Sequence, residues 1–242
     1  RGSEPGDPSR LVLRRGGEAT TEILLERLAG AEHIGERRHY FDLLRGATDG
    51  LGQVVHMLGH GDWFVVRNVA DLLGELRVTE AVGPLARALR HPDARVRRSA
   101  ALALARIGTP ETLDHLARLL RDDDPELRLA VAASLGGREM ETLAMPLVLA
   151  VEREQDPRVR LELYRALGRL GSPAALQALT RDVQPVRWRW WRRQPGRRLA
   201  AIEGLKLAGG PAAIAALELL LEDRDREIRR VARAALEALD VL

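Results

Sequence analysis

The sequence contains no cysteine. That excludes disulfides, thiolate metal sites and a cysteine nucleophile, and it fits a cytoplasmic setting. Aromatic residues make up only 3% of the 242 positions. A β-rich fold would carry more of them, along with more Val, Ile and Thr. Lysine is nearly absent: of 38 basic residues only Lys206 is one, and the rest are arginine. No apolar run approaches the ~20 residues that cross a bilayer, and there is no signal-peptide pattern, so no membrane partner is expected. Phosphate-cradling motifs are also missing, with neither GxxxxGK[ST] nor GxGxxG present. The serines at 3, 9, 99, 134 and 172 have no nucleophile-elbow context. Carboxylates sit in helix caps and on polar helix faces. No catalytic residue and no cofactor are therefore expected.

What the chain does have is Ala, Leu, Arg and Glu, all good helix formers, with 45% hydrophobic and 30% charged residues overall. The net charge of +3 is small for this length. The high pI reflects the arginines and says little about an anionic partner.

One segment recurs: an apolar residue, an arginine, then an alanine- and leucine-rich run. Its copies are VVRNVADLLGEL, RVRRSAALALARIG, ELRLAVAASLGG, RVRLELYRALGRLG, GRRLAAIEGLKLAG and EIRRVARAALEAL. The aligned arginines are Arg67, Arg97, Arg128, Arg160, Arg198 and Arg229, at spacings of 30, 31, 32, 38 and 31. Counting the arginine as zero, positions −1, +3 and +7 are largely apolar, as in Val96, Ala100 and Leu104 or Ile228, Ala232 and Leu236. These fall on one stripe of a 3.6-residue helix. A second amphipathic segment accompanies each copy, for example ETLDHLARLLR or AAIAALELLLE. Short Asp-containing breakers, three of them also with Pro, separate the two, at 91–93, 122–125, 155–157 and 222–225. Asp caps the helix that follows and Pro suits its first turn. Two antiparallel helices per repeat, stacked in one direction, predict an all-α, right-handed α-solenoid of helical hairpins. Residues 1–17 read as a flexible lead-in or linker, 18–61 as a degenerate first repeat and helix, and 62–242 as the regular repeats, with 18–242 forming one domain.

These residues resemble the HEAT-like repeats of the phycobilisome-lyase type over roughly 60–242. The resemblance implies the fold, and it implies a ladder between neighbouring repeats built from Asp62/Arg67, Asp93/Arg97, Asp124/Arg128, Asp156/Arg160 and Asp225/Arg229. Arg198 has no matching Asp in this scheme.

Three places draw attention as candidate sites. His56 and His60, an i, i+4 pair with Asp62 nearby, have the spacing of two metal ligands on one helix face. Gly59 and Gly61 end the helix there and no further ligand is identifiable, so no metal site is assigned. Position +1 of each second helix lies roughly opposite the core stripe and is expected to line a concave, partner-binding face. Its occupants are Asn68, Arg98, Leu129, Leu161, Leu199 and Arg230, with Leu72, Leu102 and Arg165 nearby at +5. Leu129, Leu161 and Leu199 form the apolar middle, and Arg98, Arg165 and Arg230 are the flanking polar contacts. The third place is the expanded period, Pro185–Arg198, with six arginines, three tryptophans and no acid. Arg187, Trp188, Arg189, Trp190, Trp191, Arg192 and Arg193 suit an anionic partner through charge and stacking, or fold back as a brace over the solenoid edge.

The expected function is a non-catalytic scaffold that binds a protein partner. Nucleic acid binding through the basic insertion is the alternative, since HEAT-like repeats also build the alkylpurine DNA glycosylases. No site residue of that family can be matched here. A bilin lyase-like subunit is implied by the repeat family alone.

Overall fold

The computed structural model describes residues 23–24, 26–28, 30–31, 33–45, 50–136, 142–184 and 195–240. The lead-in at 1–17 and residues 185–194 of the insertion lie outside the described residues. Among the described residues every regular element is helical. The chain divides into two compact units, 1–112 and 113–242.

The first unit holds α1 (Ile34–Arg45), α2 (Gly50–His56), α3 (Trp63–Glu75), α4 (Val82–Ala88) and α5 (Ala94–Ile107). Helices α3 and α5 pack side by side, and α4 lies against α5. The boundary between units falls within α6 (Pro110–Leu119). The second unit comprises α7 (Pro125–Ser134), α8 (Ala144–Arg153), α9 (Pro157–Leu170), α10 (Pro173–Val183), α11 (Pro195–Ala208), α12 (Gly210–Glu218) and α13 (Arg226–Glu237). Helices α7, α9, α11 and α13 pack each on the next to make one layer, and α8, α10 and α12 make the other.

The caps follow from the sequence. Asp93, Asp124, Asp156 and Asp225 each sit in extended backbone just before a helix. Each side chain accepts the backbone N–H two residues on, at 2.8–2.9 Å. This satisfies a donor that the helix itself cannot. Helices α5 and α9 end at Gly108 and Gly171, with φ of 68° and 61°, a left-handed turn that glycine makes at no steric cost.

The apolar stripe is the core: Val96, Ala100, Leu104, Leu127, Val131, Val159, Leu163, Ile228 and Ala232 are all at most 1% exposed. Burial of each large side chain contributes roughly 1.5–3 kcal/mol by area. In α3 the stripe runs through Val65, Val69 and Leu73, likewise buried. The alignment on Arg67 is therefore one residue out of register. Arg67 stands five residues after its cap Asp62, whereas Arg97, Arg128, Arg160 and Arg229 stand four after theirs.

The ladder also differs in its partners. Four of the aligned arginines reach back to the loop before their own helix. Arg97 donates to the carbonyls of His91 and Pro92, Arg128 to Asp122 and Asp123, Arg160 to Glu154 and Gln155, and Arg229 to Asp223 and Arg224, at 2.6–3.3 Å. Arg128 also meets the carboxylate of Glu154, and Arg198 that of Asp223, each in the next loop. In these two pairs the acid is the residue two positions ahead of the next cap, Glu154 before Asp156 and Asp223 before Asp225. Arg67 instead donates to Asn68 Oδ1 and lies 5.4 Å from the Trp63 ring centroid.

Candidate partner-binding groove

In the second unit the outward positions of α9, α11 and α13 border a shallow recess of about 360 Å³. Leu161 and Leu199, both at +1, form its apolar centre with Ala200 and Val231, and Arg165 and Glu203, both at +5, edge it. Leu161, Leu199 and Val231 are half-buried. They have lost enough water contact to stay ordered, and they keep apolar surface for a partner to cover. Arg165 is held by Glu162 at 3.4 Å, so its fork is positioned at the rim. Arg169 pairs with the other oxygen of Glu162 at 2.9 Å and ties back to the carbonyl of Leu135, which fixes α9 relative to the end of α7.

The other sequence candidates are distributed differently. Leu129 is half-buried on α7 and does not line the recess. Arg230 is exposed on α13, 3.7 Å from Glu227. Arg98 lies on α5 in the first unit, and its Nε is buried without a hydrogen-bond partner. Asn68 and Leu72 are buried, at 5% and 0% exposure, because the one-residue register shift in α3 turns them toward the interior. Glu203 and Val231 were not singled out from sequence. Glu203 was detectable as the +5 residue after Arg198, whereas Val231, at +2 after Arg229, is not an outward position of the repeat.

Beside the groove, a polar cluster joins α9, α10 and α11. The Tyr164 hydroxyl donates to Asp182 Oδ2 at 2.7 Å, and Arg197 donates to both, at 2.9 Å each. Arg181 donates to Asp182 Oδ1 at 3.0 Å. Burial pushes the Asp182 carboxyl up, but the bonds from Arg181, Tyr164 and Arg197 outweigh it and hold the group below the usual range. Burial, with Asp182 adding to it, pushes the Tyr164 hydroxyl well above its ordinary value. Asp182 and Arg197 lie on either side of residues 185–194, and their ion pair joins the end of α10 to the start of α11. Arg187, Trp188, Arg189, Trp190, Trp191, Arg192 and Arg193 themselves lie outside the described residues.

His56 is the last residue of α2 and is exposed. His60 Nδ1 accepts the Asp62 backbone N–H at 3.0 Å. Among the described residues no three His, Asp or Glu side chains gather into a group that could hold a metal ion. No helix among them is long and apolar enough to cross a membrane.

A family profile described as HEAT repeats matches residues 48–136 and 116–191. Among solved structures, the Escherichia coli protein YibA aligns with 96% of this chain and 85% of its own, at 15% identity and a TM-score of 0.51. The complex of CpcE and CpcF of phycocyanin lyase from Nostoc sp. aligns over 100% of both chains at 20% identity and a TM-score of 0.46. An engineered protein aligns over 80% of this chain and 97% of its own, at 22% identity and a TM-score of 0.48. No curated protein matches the sequence.

Proposed function

Given that this chain belongs to the HEAT-repeat family, we propose that it is a non-catalytic scaffold that binds a protein partner in the cytoplasm, with no cofactor. The observation that supports this is the groove itself. Leu161 and Leu199 present half-covered apolar surface between a fixed Arg165 and Glu203. An apolar strip with a charged rim is the anatomy of a protein interface, and Leu129 is a further half-buried leucine at the equivalent position of α7. Each leucine that a partner covers contributes roughly 1–2 kcal/mol by area. Replacing Leu161 and Leu199 with Ser should therefore weaken partner retention by about tenfold or more, with the helical circular-dichroism signal unchanged. The readout is a nuclease-treated pull-down in which wild type and variant are compared by mass spectrometry. Unfolding of the variant would make these leucines core residues. Loss of all bound material on nuclease treatment would favour nucleic acid instead.

That second reading is supported by composition. Six of the 38 basic residues fall within 185–198, with no acid. Replacing Arg187, Arg189, Arg192 and Arg193 with Ala should then abolish salt-sensitive binding of single-stranded oligonucleotides and leave the melting temperature unchanged.

A further inference from the structure

A second recess, of about 520 Å³, lies in the first unit. It opens where the Met57–Gly59 turn after α2 packs against α4. Its basic side chains come from two places in the chain: the His56 imidazole at the end of α2, and Arg87 in the last turn of α4 with Arg90 and His91 just after it. Among the described residues no Asp or Glu lines it, and Val55, Pro84 and Ala88 give it an apolar floor.

Arg87 and Arg90 are exposed, and neither has an ion pair or side-chain hydrogen bond among the described residues. The nearby acid, Asp93, is already committed. It caps α5 through the Arg95 N–H, and its carboxylate meets the Arg95 guanidinium at 2.7 Å. His91 Nδ1 accepts the Asp93 backbone N–H at 3.0 Å, which leaves Nε2 for another partner. Two arginine forks suit carboxylates, which they bind through paired N–H donors. The floor has no use for a bare inorganic anion, and among the described residues no Trp, Tyr or Phe lines it to stack a base. Charge and floor together fit an acidic chain that also carries aliphatic side chains.

We propose that this recess is a docking site for an acidic peptide segment of a partner protein. Its Asp or Glu carboxylates are gripped by Arg87 and Arg90, and a neighbouring aliphatic side chain rests on Val55, Pro84 and Ala88. The site is built from other residues than the groove around Leu161 and Leu199 and does not depend on it.

The test is fluorescence anisotropy on the full chain with three probes: a short labelled Glu/Leu peptide, the same peptide with every Glu replaced by Gln, and a single-stranded oligonucleotide of similar length. The Glu/Leu peptide should bind at least about tenfold more tightly than its Gln counterpart at low salt, and the gap should narrow as salt rises. The R87E/R90E variant should lose about tenfold or more of that binding with its helical signal intact. The L161S/L199S variant should bind the peptide as wild type does. Equal binding of the Glu and Gln peptides would overturn the proposal. So would full retention of peptide binding by R87E/R90E, which would move the contact to the basic stretch 187–193. Tighter binding of the oligonucleotide, lost on the same double substitution, would make the recess a nucleic-acid site.

Discussion

The guanidinium of Arg128 meets the carboxylate of Glu154 through two parallel hydrogen bonds, Nε to Oε2 at 2.8 Å and Nη2 to Oε1 at 2.9 Å. The same carboxylate accepts the backbone N–H groups of Gln155 and Asp156, each at 2.9 Å. Arg128 Nη1 meanwhile donates to the Asp122 carbonyl at 2.7 Å. One ion pair thus holds two successive interhelical loops, with the Glu154 side chain only 4% exposed.

Removing either partner should therefore be costly, and unequally so. Glu154→Gln keeps an acceptor for the loop and loses only the charge, an expected cost of about 1–2 kcal/mol. Arg128→Ala leaves a buried carboxylate without its cation and should cost about 3–4 kcal/mol. Urea unfolding of the two variants checks the order. A smaller loss for Arg128→Ala would show that the loop carbonyls, not the carboxylate, are what Arg128 serves.

Acid should unfold the protein over a definable range. At Glu154, burial favours the neutral acid, but the bonds from Arg128 and the loop N–H groups outweigh it and hold the carboxyl below its usual value. At Asp223 the hydrogen bond from Arg198 is the largest influence and lowers it. Asp93 is lowered to about 2, chiefly by its bond to Arg95. A carboxylate whose folded pKa lies below its unfolded value contributes its stabilisation above the unfolded value and loses it as pH falls through the folded one. Thermal stability should thus hold steady down to the ordinary carboxylate range, about pH 4, and fall between there and about 2. Melting curves across that range test this, and Asp223→Asn should flatten the slope.

Glycine separates the close helix contacts from the open ones. A methyl group on Gly168 of α9 would overlap the carbonyl oxygen of Gly204 on α11, and one on Gly74 would lie 2.5 Å from the Ala103 Cα. Gly168→Ala should destabilise by about 2–3 kcal/mol, since backbone cannot yield as a side chain does. Gly83, in the first turn of α4, has nothing within 4 Å of such a methyl. Gly83→Ala should be neutral or stabilise by up to about 1 kcal/mol. Comparing the two melting temperatures reads the difference directly.

Much of the fold was legible because its determinants are local. Asp93, Asp124, Asp156 and Asp225 cap helices within two residues of themselves, and the apolar stripe needs only helical geometry. The register of α3 was not, because Arg67 matches the other arginines by type while the cap at Asp62 sets the true phase. The partner of Arg128 is 26 residues away, a separation that periodicity alone does not reveal. Of the candidate groove, Leu161, Leu199 and Arg165 were visible as outward positions. Glu203 and Val231 join them only because α9, α11 and α13 stack, and the Arg87 and Arg90 recess depends on a turn and a helix end meeting in space.

In four repeats the arginine reaches a carbonyl six residues earlier in the chain. Arg198 reaches the Val183 carbonyl, fifteen residues earlier, at 2.7 Å. The brace is kept while the stretch it spans has grown, and Asp182 with Arg197 closes the same gap from the other side. Chain length at this one junction is thereby uncoupled from the packing of the repeats. Shortening or replacing residues 185–194 should therefore leave the register of the helices on either side unchanged.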